Sequence, residues 1–234
     1  MRTMLTIADL RGLVSFPVAL GVASSSPQAS DRVLSPRETE FARGREAAFA
    51  ALASLGIETE DIPTGPNGAP VWPSGIVGSI THTASIALAV AARTSDRAAI
   101  GIDVEGEDRR LDPRTLRRIF TESELERLST ASDPRSRLAM FCAKEATYKA
   151  LSAFVPKIGW HDVDFSFESG DRLTGVLSAR AAEFAPVATV SARALVAGGF
   201  VVVCVEIPAT AEVNPRSRAP AARAGTAPGV QDSH

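Results

Sequence analysis

Cysteine, surplus charge and long apolar runs are all scarce in this chain of 234 residues. Its two cysteines, Cys142 and Cys204, each sit in an apolar run and form no Cys-x-x-Cys pair. That argues against a disulfide framework or a zinc site and fits a reducing, cytoplasmic setting. Lysine and arginine number 25 against 27 aspartates and glutamates, a formal net charge of −2. No global basic field is there to recruit nucleic acid. No apolar run reaches the ~18 residues of a membrane span, so no membrane partner is expected. Leu13 to Ala23 has the length of a signal-peptide core. Asp9 precedes it, Pro17 interrupts it and Arg2 and Arg11 are its only positive neighbours, so it reads as a loop or strand.

The composition, 45% apolar and 22% charged, suits one large or two small globular domains with a sizeable core. Ser35-Pro36-Arg37-Glu38 predicts a helix start: an N-cap, a proline in the first turn and a capping-box glutamate. That helix should run to about Leu55 and stop at Gly56. Residues 61 to 78, rich in proline and glycine, read as a loop. Runs 86–92 and 98–105 read as strands, with Arg93 to Arg97 joining them as a hairpin. Asp112-Pro113, Thr121-x-x-Glu124 and Asp133-Pro134 each open a helix, the last reaching about Ser152. Four strand candidates follow, at 163–168, 172–179, 187–193 and 200–207. This is an α+β pattern, divisible into two similar halves near residue 104. Residues 209–234 carry almost no bulky apolar side chain and are expected to be disordered.

Four segments carry candidate chemistry. In a strand, Ile100, Ile102 and Val104 face one way and Asp103 and Glu105 the other. Their Cα atoms would lie ~6.6 Å apart, two strand rises, and the two carboxylates could hold one divalent cation between them. A solvated acidic face is the competing reading. Around 138–149, Leu138, Phe141, Cys142 and Tyr148 make an apolar helical stripe into which Glu145 falls. A carboxylate there needs a metal or a paired cation, and an i,i+4 salt bridge to Lys149, one turn on, is the competing reading. In the first helix Arg45 intrudes on the stripe of Phe41, Ala48, Phe49, Leu52 and Leu55, so its guanidinium needs an anion, either a protein carboxylate or a ligand phosphate. Finally, the hydroxyls, histidine and backbone N–H groups of Gly78-Ser79-Ile80-Thr81-His82-Thr83-Ala84-Ser85 either cradle a phosphate or form an ordinary turn.

Together these segments resemble the 4′-phosphopantetheinyl transferase superfamily, in the monomeric two-lobed form that serves surfactin and enterobactin synthetases. The likeness runs through Phe41-Ala42-Arg43-Gly44-Arg45, Pro70-Val71-Trp72-Pro73, Gly78-Ser79-Ile80-Thr81-His82, Gly101-Ile102-Asp103-Val104-Glu105, Phe120-x-x-x-Glu124 and Lys144-Glu145-x-x-x-Lys149. It implies two similar α/β lobes, 1–103 and 104–208, with the active site in the cleft between them. It implies transfer of phosphopantetheine from coenzyme A to a serine of an acyl or peptidyl carrier protein, with release of 3′,5′-ADP. Asp103, Glu105 and Glu145 would then hold Mg²⁺. Arg45, Thr81 and His82 would bind coenzyme A phosphates. Lys144 and Lys149 would flank the diphosphate. Glu124, Glu145 and Lys149 would do the proton and charge work, with Glu124 the first candidate for general base unless it serves only as a helix cap. The resemblance also implies a monomer. Asn67-Gly68-Ala69 depart from it, since relatives usually carry a basic residue there. Arg110, Arg114, Arg117 and Arg118 fall on one helical face, either a docking face for an acidic carrier or a solvated basic surface. Two other readings remain: another Mg²⁺-dependent nucleotide or pyrophosphate hydrolase, and a non-catalytic coenzyme A- or carrier-binding protein.

Overall fold

The computed structural model describes residues 5–15, 19–24, 35–65, 68–131, 133–168 and 170–209. The expected disordered tail lies outside these residues apart from Ala209, and so does Asn67. In chain order the elements are α1 (Ile7–Leu10), β1 (Ala19–Ser24), α2 (Pro36–Ser54), β2 (Ile76–His82), β3 (Ile86–Arg93) and β4 (Arg97–Gly106). Then come α3 (Pro113–Ile119), α4 (Glu122–Thr130), α5 (Arg135–Leu151), β5 (Val163–Phe167), β6 (Arg172–Leu177), α6 (Ala179–Phe184), β7 (Thr189–Ala197) and β8 (Phe200–Pro208). The fold is α+β. One sheet has the order β1-β3-β2 and the other β4-β8-β7-β6-β5, with antiparallel pairing throughout.

The alternation along β3 builds two cores at once. Ile86, Leu88 and Val90 point into a core shared with Ile100, Ile102 and Val104 of β4 and Val202 and Cys204 of β8. Ala87, Ala89 and Ala91 point the other way, against Ala47, Ala48, Ala51 and Leu52 of α2. Small residues on that face let the helix come close. At Gly21 of β1 a Cβ would lie 1.8 Å from the carbonyl oxygen of Ala47. The second sheet repeats the device: a Cβ at Gly101 would lie 1.9 Å from the carbonyl oxygen of Ala146 in α5. Each sheet therefore carries one long helix pressed against a glycine-bearing strand. Between the helices the sheets share the Ile/Leu/Val core, which α1 also joins through Leu10.

Two sequence expectations fail here. The turn at 94–96 is not a hairpin: β3 pairs with β1 and β2, while β4 pairs with β8, so the turn carries the chain from one sheet to the other. The stretch 78–82 is no turn but most of β2. Gly78 serves there to admit Trp72, whose ring would sit 2.5 Å from a Cβ at that position. Helices α1 and α6 were not anticipated; α1 is short but carries a full capping box between Thr6 and Asp9. The α2 start was legible, since Ser35 and Glu38 form the expected capping box and Gly56 ends the helix at φ +70°.

Candidate active site at the seam of the two sheets

Strands β2 and β4 run side by side where the sheets meet. The backbone N–H of Ile102 donates to Ser79 Oγ at 3.2 Å, and Thr81 Oγ1 donates to Asp103 Oδ1 at 3.0 Å. The alternation predicted for β4 holds. Ile100, Ile102 and Val104 enter the shared core, and Gly101 on the opposite face meets α5. Asp103 is buried beside that helix, and Lys149 Nζ donates to its Oδ1 at 2.8 Å and to the Ile102 carbonyl at 3.1 Å. The other oxygen, Oδ2, is buried with no hydrogen-bond partner. A buried acceptor left open in this way costs free energy unless something binds it.

Glu145 sits half-buried on the same side of α5. Burial pushes its carboxyl above the usual range, the nearby Asp103 charge adds to this, and Lys149 and Arg109 pull it partly back. Glu145 forms an ion pair with none of the described residues, whereas Glu105 pairs with Arg109. The Arg109 guanidinium lies over the Phe141 ring, 4.6 Å from its centre. Cys142 lies below; burial and then Asp103 push its thiol well above the ordinary value, so it stays a neutral core group. The structure thus brings Asp103, Glu105, Glu145, Thr81 and Lys149 into one neighbourhood. Among the described residues no three His, Cys, Asp or Glu side chains are already drawn together as a metal cage. The donors still suit a hard cation: all are oxygens, one is orphaned, and a neighbouring carboxyl is pushed toward its neutral form.

Lys144 and Glu124 are not part of this neighbourhood. Their side chains are fully buried and paired, Nζ to Oε2, at 2.8 Å. Lys144 also donates to the carbonyls of Trp160 at 2.7 Å and Val163 at 2.8 Å. Glu124 accepts from Phe165 N at 2.7 Å and, as the capping-box residue of α4, from Thr121 N at 2.8 Å. Burial pulls the Lys144 ammonium below the usual lysine range and Glu124 pulls it back up. Both side chains are turned into the core, away from the acidic group at the seam. The physical reason is the helix: consecutive residues point ~100° apart, so Glu145 facing the seam turns Lys144 inward.

Arg45 and His82 lie nearer solvent. Arg45 donates to Thr64 Oγ1 at 3.1 Å and stacks on Phe41, 4.5 Å from the ring centre, while its Nε is buried without a partner. Of the expected α2 stripe only Phe41 is exposed; Ala48 and Leu52 are buried, Phe49 and Leu55 pack partly against the same core, and Gly44, Ala47 and Ala51 are buried with them. Tyr148, assigned to the α5 stripe, is exposed as well. His82 Nδ1 lies 3.8 Å from Glu40 Oε2 at the exposed end of β2. Neither Arg45 nor His82 bonds to the acidic group among the described residues. Arg109 was missed in the sequence: Glu105 lies on β4 and Arg109 in the turn after it, so no regular spacing pairs them.

Comparison with known proteins agrees along most of the chain. Residues 27–92 match the family model of the 4′-phosphopantetheinyl transferase N-terminal domain. Residues 99–204 match that of the 4′-phosphopantetheinyl transferase superfamily. The chain is 33% identical over 162 residues to the 4′-phosphopantetheinyl transferase Npt of Nocardia iowensis, covering 68% of this chain and 72% of that protein. It is 33% identical over 150 residues to the 4′-phosphopantetheinyl transferase PptT of Mycobacterium tuberculosis, covering 59% and 62%. It is 40% identical over 119 residues to enterobactin synthase component D of Escherichia coli, covering 49% and 54%. The matched regions therefore span from about half to under three quarters of these relatives' lengths. A crystal structure of holo-[acyl-carrier-protein] synthase from Thermotoga maritima aligns at a TM-score of 0.39 with 25% identity, covering 47% of this chain and 62% of that one.

Proposed function

Because this chain belongs to the 4′-phosphopantetheinyl transferase superfamily, we propose that it transfers phosphopantetheine from coenzyme A to a serine of an acyl or peptidyl carrier protein. The observation that carries the reading is the orphaned Oδ2 of Asp103, buried at the seam beside Glu145 and Lys149. In this reading Asp103, Glu105 and Glu145 hold Mg²⁺. When bound, the ion would neutralise charge on a diphosphate and orient it. Lys149, fixed by Asp103 and the Ile102 carbonyl, adds a cation on the same side. Thr81 holds Asp103 in place through its hydroxyl. Arg45, with a free donor on Nε, and the exposed His82 are assigned to the phosphates of coenzyme A.

The serine hydroxyl attacks the β-phosphorus, forming the new phosphodiester. The bond from that phosphorus to the bridging oxygen breaks, and 3′,5′-ADP leaves with the electron pair. With Glu124 shut away, Glu145 is the carboxylate left to accept the serine proton, directly or through a water. Arg110, Arg114, Arg117 and Arg118, all exposed at and before α3, would meet an acidic carrier. A division into lobes 1–103 and 104–208, a monomer and a cytoplasmic location belong to the same reading. No described helix is long and apolar enough to cross a membrane.

The test mixes protein, coenzyme A, Mg²⁺ and several apo carriers, then weighs the carriers. A mass gain of one phosphopantetheine, lost in Asp103→Ala, is expected. Coenzyme A consumed without carrier gain would replace the reading with a hydrolase.

A further inference from the structure

The acidic group at the seam has more negative charge than the protein itself balances. Three carboxylates, Asp103, Glu105 and Glu145, face two cations. Lys149 is committed to Asp103, where it also bonds the Ile102 carbonyl. Arg109 is committed to Glu105. Its grip differs from that of Lys149. It follows β4, which ends at Gly106, and its side chain is 40% exposed against 18% for Glu105. Its guanidinium lies over the ring of Phe141 of α5. It is thus a half-exposed cation with a perch on a ring face, able to leave a carboxylate without losing all its contacts. Adding a divalent ion to both protein cations would leave the group net positive. Adding it while Arg109 moves off would leave it neutral.

We propose that Arg109 is the resident counter-cation of Glu105 and competes with the divalent ion for that carboxylate, so that loading the ion and releasing Arg109 are one exchange. This rests on the metal reading above. Arg109 is then a positioning residue that sets the affinity for the ion: it keeps Glu105 oriented when the site is empty, at the cost of weaker loading. The neighbouring Arg110 cannot play this part. It bonds only the backbone carbonyls of Asp108 and Arg109 among the described residues.

The exchange is tested by titrating Mn²⁺, read as free ion by electron paramagnetic resonance, into the full chain without coenzyme A. Wild type, Arg109→Gln, Arg109→Lys and Arg110→Gln are compared. Arg109→Gln should bind Mn²⁺ roughly two- to fivefold tighter, the range that a partly exposed ion pair is worth. Arg109→Lys should stay near wild type, and Arg110→Gln, which removes the same charge, should not tighten binding. Equal or weaker binding in Arg109→Gln, or an equal gain in Arg110→Gln, overturns the exchange while leaving the metal reading intact. No binding in either wild type or Arg109→Gln overturns both. Should Arg109→Gln fail to fold by near-ultraviolet circular dichroism, Phe141→Leu removes the perch instead. Without the perch release costs Arg109 more, so weaker Mn²⁺ binding supports the exchange and unchanged or tighter binding refutes it.

Discussion

Single side chains decide most of what the seam can do. Lys144 and Glu145 are adjacent in sequence yet face different sides of α5, one pinning the helix to Trp160 and to the start of β5 at Val163 and the other facing Asp103. The sequence showed the anomaly of an acid in an apolar stripe, and it singled out Glu145 for the right reason. It could not show that Lys144 lies deeper still, because its partners, Glu124 and two backbone carbonyls, come from segments that only the fold brings together. Replacing Lys144 with Met leaves Glu124 charged and buried. Urea denaturation should show a loss of about 3–5 kcal/mol, much of it recovered when Glu124 is also made apolar. A second residue-scale test concerns Asp164 of β5. It accepts from Thr121 Oγ1 at 2.5 Å, from Ser123, and from Arg127 at 2.6 Å. Burial pushes this carboxyl up, but the bonds from Ser123, Thr121 and Arg127 outweigh it and hold it below the usual range. A depressed value contributes stability above the unfolded pKa of ~3.9, and that contribution is lost as pH falls through the folded value. Asp164→Asn should therefore be less stable than wild type by about 1 kcal/mol at pH 7. The gap should close in unfolding curves taken below about pH 4.

At the scale of elements, local signals were strong and pairing was not. Caps and prolines marked α2, α3 and α4, and their side-chain bonds are those the motifs predicted. Strand β2 was hidden because serine, threonine, histidine and glycine imitate a turn, and its identity comes from β3 alongside it. The turn at 94–96 has hairpin length, but β4 finds its partner about a hundred residues later in β8, a fact no local window contains. Close helix-to-strand packing yields the sharpest prediction at this scale. A Cβ at Gly101 meets the backbone of Ala146, which cannot swing aside as a side chain would. Gly101→Ala should cost about 1–3 kcal/mol or more. Gly12→Ala, with nothing within 4 Å of the added carbon, should cost little of that kind. Thermal unfolding of the two variants gives the comparison.

Across the whole molecule, the two sheets are joined through one core and through the bonds between β2 and β4, Ile102 N to Ser79 Oγ and Thr81 Oγ1 to Asp103. Glu206 of β8 ties the segment before β1 to the second sheet, accepting from Ser15 N at 2.8 Å and from Arg97 of β4 at 2.7 Å. The core draws on β1, β3, β4 and β8 together. Each half carries one of the chain's two tryptophans, Trp72 packed near α2 and Trp160 packed near α5. Single-tryptophan variants, Trp160→Phe and Trp72→Phe, should therefore unfold in urea with coincident midpoints, since neither half keeps its interior without the other. Separate midpoints would mean two independent units. The α+β class and the acidic group were visible in the sequence as patterns. The seam was not, because it exists only where two distant strands meet.

The two-sided burial of β3 also bears on how the protein is made. Residues 86 to 92 are all apolar and all hidden in the finished molecule. A ribosome delivers them before β4 and β8, which supply much of the rest of the shared interior. Until those arrive, a sticky, uncharged strand waits in open water, the kind of segment that seeds aggregation. Yield in the cell thus depends on the speed of elongation and on chaperone capacity during that interval, quite apart from how stable the completed chain is.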